Sequence, residues 1–344
     1  MEYTDNGQQI GQETGTWGEK LQEGIEQPVY LQKIPEKKEY NLRSLKRCFR
    51  IIGLAYLVYL LVSTVSQVVV SLIFQMPESR IGWNLWMMVC MLSMYPLATL
   101  FLYLILRRLP KARQTWKEPM KVGRYIGIFV ICMGSMYLGN IIGQMFTAVI
   151  KFITGLPMEN DIGVLISEMQ PWLILLIVVI VGPIMEEIIF RKLLLDRIAG
   201  YGQATSMLIS GLIFGIAHGN FYQFFYAFIL GAIFAQVYLR TGNILHTIGL
   251  HMMINFCGSF VSIYYLELVE SWGSAGLLLV FGQVMVMFGY MIAGVILLIY
   301  YRREIFLYEP KKNISAGKWF MAVMFNVGMI LYLIAGAAFF VLNF

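Results

Sequence analysis

The sequence predicts an all-α fold: a polytopic transmembrane helical bundle of about eight to nine membrane-spanning helices, with a cavity inside the membrane. Three observations predict it. The chain has 344 residues, 58% of them hydrophobic and only 13% charged, about half the charged fraction of a soluble domain. Apolar runs of the roughly 20 residues that a helix needs to cross a bilayer recur along most of the chain. Inside one of these runs stand Glu186, Glu187 and Arg191, where each unpaired ion costs several kcal/mol, so they require partners or a task.

Residues 1–43 are polar, mixed in charge and without an apolar signal-like stretch, and are expected to form a flexible cytoplasmic tail. Residues 44–344 are expected to form the transmembrane domain, with its functional core over 172–265, where the polar residues gather. Crossings are expected near 48–74, 84–106, 125–153 and 172–195. Two shorter ones follow near 204–218 and 222–239, then three near 244–265, 275–300 and 319–344.

Charge supports this count. The formal net charge of +6 is spread between apolar runs, so it reads as a topology signal and excludes a nucleic-acid partner. Arg107, Arg108, Lys111, Arg113, Lys117, Lys121 and Arg124 crowd one loop, and Arg302, Arg303, Lys311, Lys312 and Lys318 another. The loops with Glu159, Asp161 and Glu168, or with Glu267 and Glu270, lack basic residues. Nine crossings with a cytoplasmic N-terminus put both basic loops inside and both acidic ones outside. Four dispersed cysteines without a CxxC pair support neither a disulfide framework nor a cysteine zinc site. Small residues every fourth position, at Gly211, Gly215 and Gly219 and at Ser135, Gly139 and Gly143, are assigned to close helix packing.

The chemistry concentrates in the middle third. On a helix Glu187 and Arg191 share a face, in the favourable order for an ion pair. Glu186 points about 100° away, so one arginine neutralises one acid and leaves the other to be explained. Pro183 cannot donate a backbone hydrogen bond, which frees a carbonyl near Val179 beside the carboxylates. The turn Gly200-Tyr201-Gly202 brings Glu186 and His218 to similar depths on neighbouring antiparallel helices. Phe214 lies one turn before His218 and is suited to packing on the imidazole. His251 and Asn255 share a face of a third helix. His246, rotated away from His251, is expected to be an interface or turn residue. Each His or Asn alone is equally well an interhelical hydrogen bonder. Together they place Glu, two His and Asn around one spot.

Two chemistries use such a set. A carboxylate beside a neutral imidazole can take a proton from water and return it to a leaving amine, while His and Asn donate to the oxyanion of amide hydrolysis. Alternatively Glu186, His218 and His251 hold zinc with an open position for water. No HExxH is present, so spacing does not establish a metal.

The ordered set Glu186-Glu187-x-x-x-Arg191, Phe214-x-x-x-His218 and His251-x-x-x-Asn255 resembles the three motifs of the CPBP intramembrane proteases, over roughly residues 172–265. That family includes type II CAAX prenyl endopeptidases and abortive-infection or bacteriocin-immunity proteins. The resemblance implies that Glu186 and His218 activate water, that His251 and Asn255 stabilise the oxyanion, and that Glu187, Arg191 and Phe214 support them. It favours a glutamic-type, metal-free hydrolase over a zinc enzyme. The implied substrate is a membrane-associated peptide or protein, and the implied location is a multi-pass, bacterial-type plasma membrane. Competing readings are a proton-coupled transporter, since intramembrane Glu and His also mark ion pathways, and a non-enzymatic immunity or scaffold protein that keeps the motif for packing.

Overall fold

The computed structural model describes residues 37–112, 118–155, 161–302 and 311–342; most of the expected tail lies outside the described residues. Apart from a two-residue parallel pairing of β1 (Lys37–Lys38) with β2 (Lys311–Lys312), the ordered elements are helices. Long ones are α1 (Leu42–Ile73), α2 (Ile81–Leu106), α3 (Val122–Thr154), α5 (Pro171–Tyr201), α7 (Phe221–Thr241), α8 (Ile244–Ser271) and α9 (Gly273–Tyr300). Between them lie the short α4 (Asp161–Glu168) and α6 (Gln203–Ala217). The chain then runs through α10 (Ala316–Met324) into α11 (Val327–Leu342), bent by 62° at the break between them.

Among the described residues seven helices are long and apolar enough to cross a membrane, and the bent α10–α11 pair, taken as one span, makes eight. The expected ninth, near 204–218, is α6. Its 15 residues reach only about 22 Å against a hydrocarbon thickness of about 30 Å. It is a shortened helix antiparallel to α7, with Gly211 facing Phe228 and Gly215 facing Phe224. The α6–α7 hairpin therefore returns the chain to the side it left, and His218 sits near its tip.

Some of the helix starts carry side-chain caps. Asn41 caps α1 by accepting from the N–H groups of Arg43 and Ser44, and Asn243 caps α8 by accepting from Leu245. The α6–α7 turn closes with Gly219 at φ 67°, a left-handed conformation that favours glycine. Asn220 completes it, accepting from the Gln223 N–H and donating through Nδ2 to the His218 carbonyl.

The glycine stripes set the packing distances. A Cβ added to Gly211 would come within 2.5 Å of the Phe228 carbonyl oxygen, and one on Gly139 within 2.5 Å of the Tyr226 Cα. Helices α6 and α3 therefore each press directly on the backbone of α7. Gly53 and Gly328 bring α1 and α11 together in the same way. The buried core between these helices includes Phe49, Tyr56, Phe190, Phe214 and Tyr332. By contrast α9 turns most of its length outward, with Leu277, Phe281, Ile292 and Ile299 exposed as a lipid-facing surface requires.

Winding changes where the polar residues sit. Helix α5 is π-wound over Ile174–Val181 and again over Ile188–Leu193, flanking the two glutamates, and α8 is π-wound over Phe256–Val261 directly after Asn255. Such insertions re-aim side chains and concentrate at functional sites.

Candidate active site

Glu187 and Arg191 are fully buried, and Arg191 Nε lies 3.2 Å from Glu187 Oε2. The guanidinium is packed between aromatic faces, 4.3 Å from the Phe214 ring centroid and 5.3 Å from that of Phe234. These rings exclude water and favour the cation through their π faces. The other carboxylate oxygen, Glu187 Oε1, accepts from His251 Nδ1 at 2.9 Å. Thr247, one turn before His251 and also buried, donates instead to the Ile244 carbonyl at 2.9 Å. Glu187 is thus bound from two helices.

Glu186 is different: its side chain is 24% exposed, and Oε2 lies 3.6 Å from His251 Nε2. Its carboxylate is also within electrostatic reach of His218 and of the tyrosines Tyr59, Tyr95 and Tyr226. The His218 ring stands edge-on to Phe214, with centroids 4.8 Å apart, and Nδ1 lies 2.8 Å from the Phe214 carbonyl oxygen. A carbonyl only accepts, so Nδ1 carries the hydrogen, and Nε2 of the neutral ring is the acceptor. The same argument puts a hydrogen on His251 Nδ1.

Asn255 Nδ2 donates to the Val178 carbonyl at 2.9 Å. A carbonyl freed by Pro183 is thus Val178, next to Val179 where it was expected. Because α5 is π-wound there, the Gly182 N–H bonds Ile177, five residues back, and the gap opposite Pro183 moves by one residue.

The structure thus gathers Glu186, Glu187, Arg191, His251 and Phe214, with Asn255 on the same helix face as His251, and puts His218 at the broken end of α6. His246 is elsewhere, its ring beside Tyr125 and its carbonyl accepting from the Tyr125 hydroxyl. One contributor, Phe234, escaped the sequence reading; it carried no signal, being one of many aromatics in apolar helices.

A zinc site would need three converging donors. Among the described residues no three His, Cys, Asp or Glu side chains are grouped to hold an ion. As arranged, Glu186, His218 and His251 do not fit a three-ligand centre.

The fold and this cluster define a multi-pass helical membrane protein with ionisable residues enclosed at membrane depth. The family model described as type II CAAX prenyl endopeptidase Rce1-like matches residues 168–257, which contain all of them. A Bacillus subtilis (strain 168) protein named "Putative membrane peptidase YdiL" is 30% identical over 177 residues, covering 49% of this chain and 68% of that protein. No solved structure matches. The chain belongs to the CPBP family of type II CAAX prenyl endopeptidase-like membrane proteases. It is accordingly an intramembrane protease, a hydrolase of peptide or protein substrates at the membrane.

Proposed function

We propose that this protein is a glutamic-type endopeptidase in which Glu186 and His218 activate water, while His251 and Asn255 stabilise the oxyanion. The observation that supports this reading best is the division between the adjacent carboxylates. Arg191 and His251 Nδ1 occupy Glu187, and Glu186 is left as the partly exposed acid.

In this mechanism the His218 Nε2 lone pair orients a water molecule, and Glu186 takes one of its protons. The water oxygen bonds to the carbonyl carbon, and the carbonyl electron pair moves onto oxygen. Asn255 Nδ2 and His251 Nε2 donate to that oxyanion. His251 does so as an imidazolium, with Nδ1–H held by Glu187; once Glu186 becomes neutral its competing claim on Nε2–H weakens. The C–N bond then breaks, and Glu186 returns its proton to the leaving amine. Arg191 keeps Glu187 ionised throughout, and Phe214 fixes the His218 tautomer through its carbonyl.

The substrate we assign is a membrane-associated peptide or protein. The basic loops argue for a bacterial-type plasma membrane with the N-terminus in the cytoplasm. The test is mass spectrometry of products from a lipid-anchored random peptide library, incubated with membranes carrying wild type or Glu186→Gln, with and without chelator. Products from wild type alone, unchanged by chelation, are expected. Equal products from Glu186→Gln would refute the assignment, and activity lost to chelator and restored by zinc would refute the glutamic type.

A further inference from the structure

The Val178 carbonyl has no donor left in its own helix. Its α-type donor, the Gly182 N–H, is bonded to Ile177 instead. Its π-type donor would be residue 183, which is proline and has no N–H. An unpaired backbone carbonyl at membrane depth is costly. At Val178 the missing donor is supplied from α8, by Asn255 Nδ2 at 2.9 Å.

We propose that Pro183 is a positioning residue for Asn255. By withholding a hydrogen from Val178, it obliges one Nδ2 hydrogen of Asn255 to bond there. That bond fixes the plane of the amide, so the second Nδ2 hydrogen has one set direction. The cluster depends on this because asparagine has two side-chain torsions, and Phe256–Val261 directly after it leaves the regular α path. Pro183 touches no substrate and acts only through the carbonyl five residues before it. The inference rests on the reading of Asn255 as an oxyanion donor.

The test is a double-mutant cycle on a library peptide that the wild type cuts. Pro183→Ala supplies an N–H that competes for Val178. It is expected to lower kcat about 10-fold, a fraction of the ~100-fold loss typical of removing an oxyanion donor outright, with KM within about twofold. In the Asn255→Ala background the same change should move kcat less than about twofold, since the two residues act as one unit. Losses that multiply in full, or a Pro183→Ala enzyme with wild-type kcat, would overturn the inference. If Asn255→Ala itself retained wild-type kcat, the oxyanion reading would fall with it, and the two failures are distinct. The amide-to-ester variant Pro183→lactate separates the missing donor from the ring, because it removes the ring and still has no N–H. It is expected to keep wild-type kcat, and a loss equal to that of Pro183→Ala, or a failure of both variants to fold, would count against the missing donor as the cause.

Discussion

His251 Nδ1 lies 2.9 Å from Glu187 Oε1, while its Nε2 faces Glu186 at 3.6 Å. One imidazole therefore bridges the two adjacent glutamates, and the buried one sets its tautomer and its direction. Glu187 is more than a counter-ion for Arg191: it links a charge on α5 to a donor on α8.

Replacing Glu187 by Gln should therefore damage catalysis more than substrate binding. The amide oxygen can still accept from His251, but the charge that favours the imidazolium is gone. We expect kcat to fall about 100-fold, the upper range for groups that orient a reactive residue, with KM little changed. Steady-state kinetics on a library peptide cut by the wild type would check this; a KM effect alone would show Glu187 to be a binding residue.

Arg191→Met fills a comparable volume between Phe214 and Phe234 but strands the buried Glu187 carboxylate. Removing one member of such a pair costs about 3–5 kcal/mol, whereas replacing both is far less damaging. Thermal unfolding in detergent should show a large loss for Arg191→Met and recovery of most of it in Arg191→Met with Glu187→Gln. Activity should recover in neither. Additive losses in stability would mean that the two residues are not coupled.

Much of this was legible from sequence because membrane depth makes polar residues conspicuous. Glu187 and Arg191 four apart gave the ion pair, and the turn at Gly202 gave the antiparallel run that returns to His218. Less legible was anything that depends on winding. Regular α spacing places the freed carbonyl at Val179, but the π stretch Ile174–Val181 moves it to Val178. The sequence puts Glu186 and both histidines around one spot, but regular spacing does not show that His251 Nε2 comes within 3.6 Å of Glu186 Oε2. The apolar run near 204–218 reads as a full crossing, because hydropathy records composition and not where a helix stops.

Orientation can be tested by chemistry at the loops. If the N-terminus is cytoplasmic, a membrane-impermeant maleimide added to intact cells should label a cysteine introduced at Glu267 or Glu270. It should label one at Lys111 or Arg302 only after lysis, since basic loops are retained on the cytoplasmic side. The native cysteines Cys48, Cys90 and Cys132 are buried, and Cys257 would be replaced by Ser for this experiment. The reverse pattern would invert the topology and move the acidic loops inside.

The α6–α7 crossing makes the most exacting demand on sequence. A Cβ at Gly211 would meet the Phe228 carbonyl oxygen at 2.5 Å, and one at Gly231 would meet the Gly211 Cα at 2.9 Å, so the two glycines lie against each other. Backbone atoms cannot yield as a flexible side chain does. Gly211→Ala must therefore push α6 away from α7 and carry His218, at its end, with it. A shift of about 1 Å in a reacting group costs on the order of 100-fold in rate. We expect a loss of that size in kcat from a protein that still inserts and purifies as the wild type does. Gly282 on α9 has no atom within 4 Å of an added Cβ, so Gly282→Ala should leave both activity and unfolding temperature unchanged. A Gly211→Ala enzyme with wild-type kcat would mean that the position of α6 is not what holds His218 at the site.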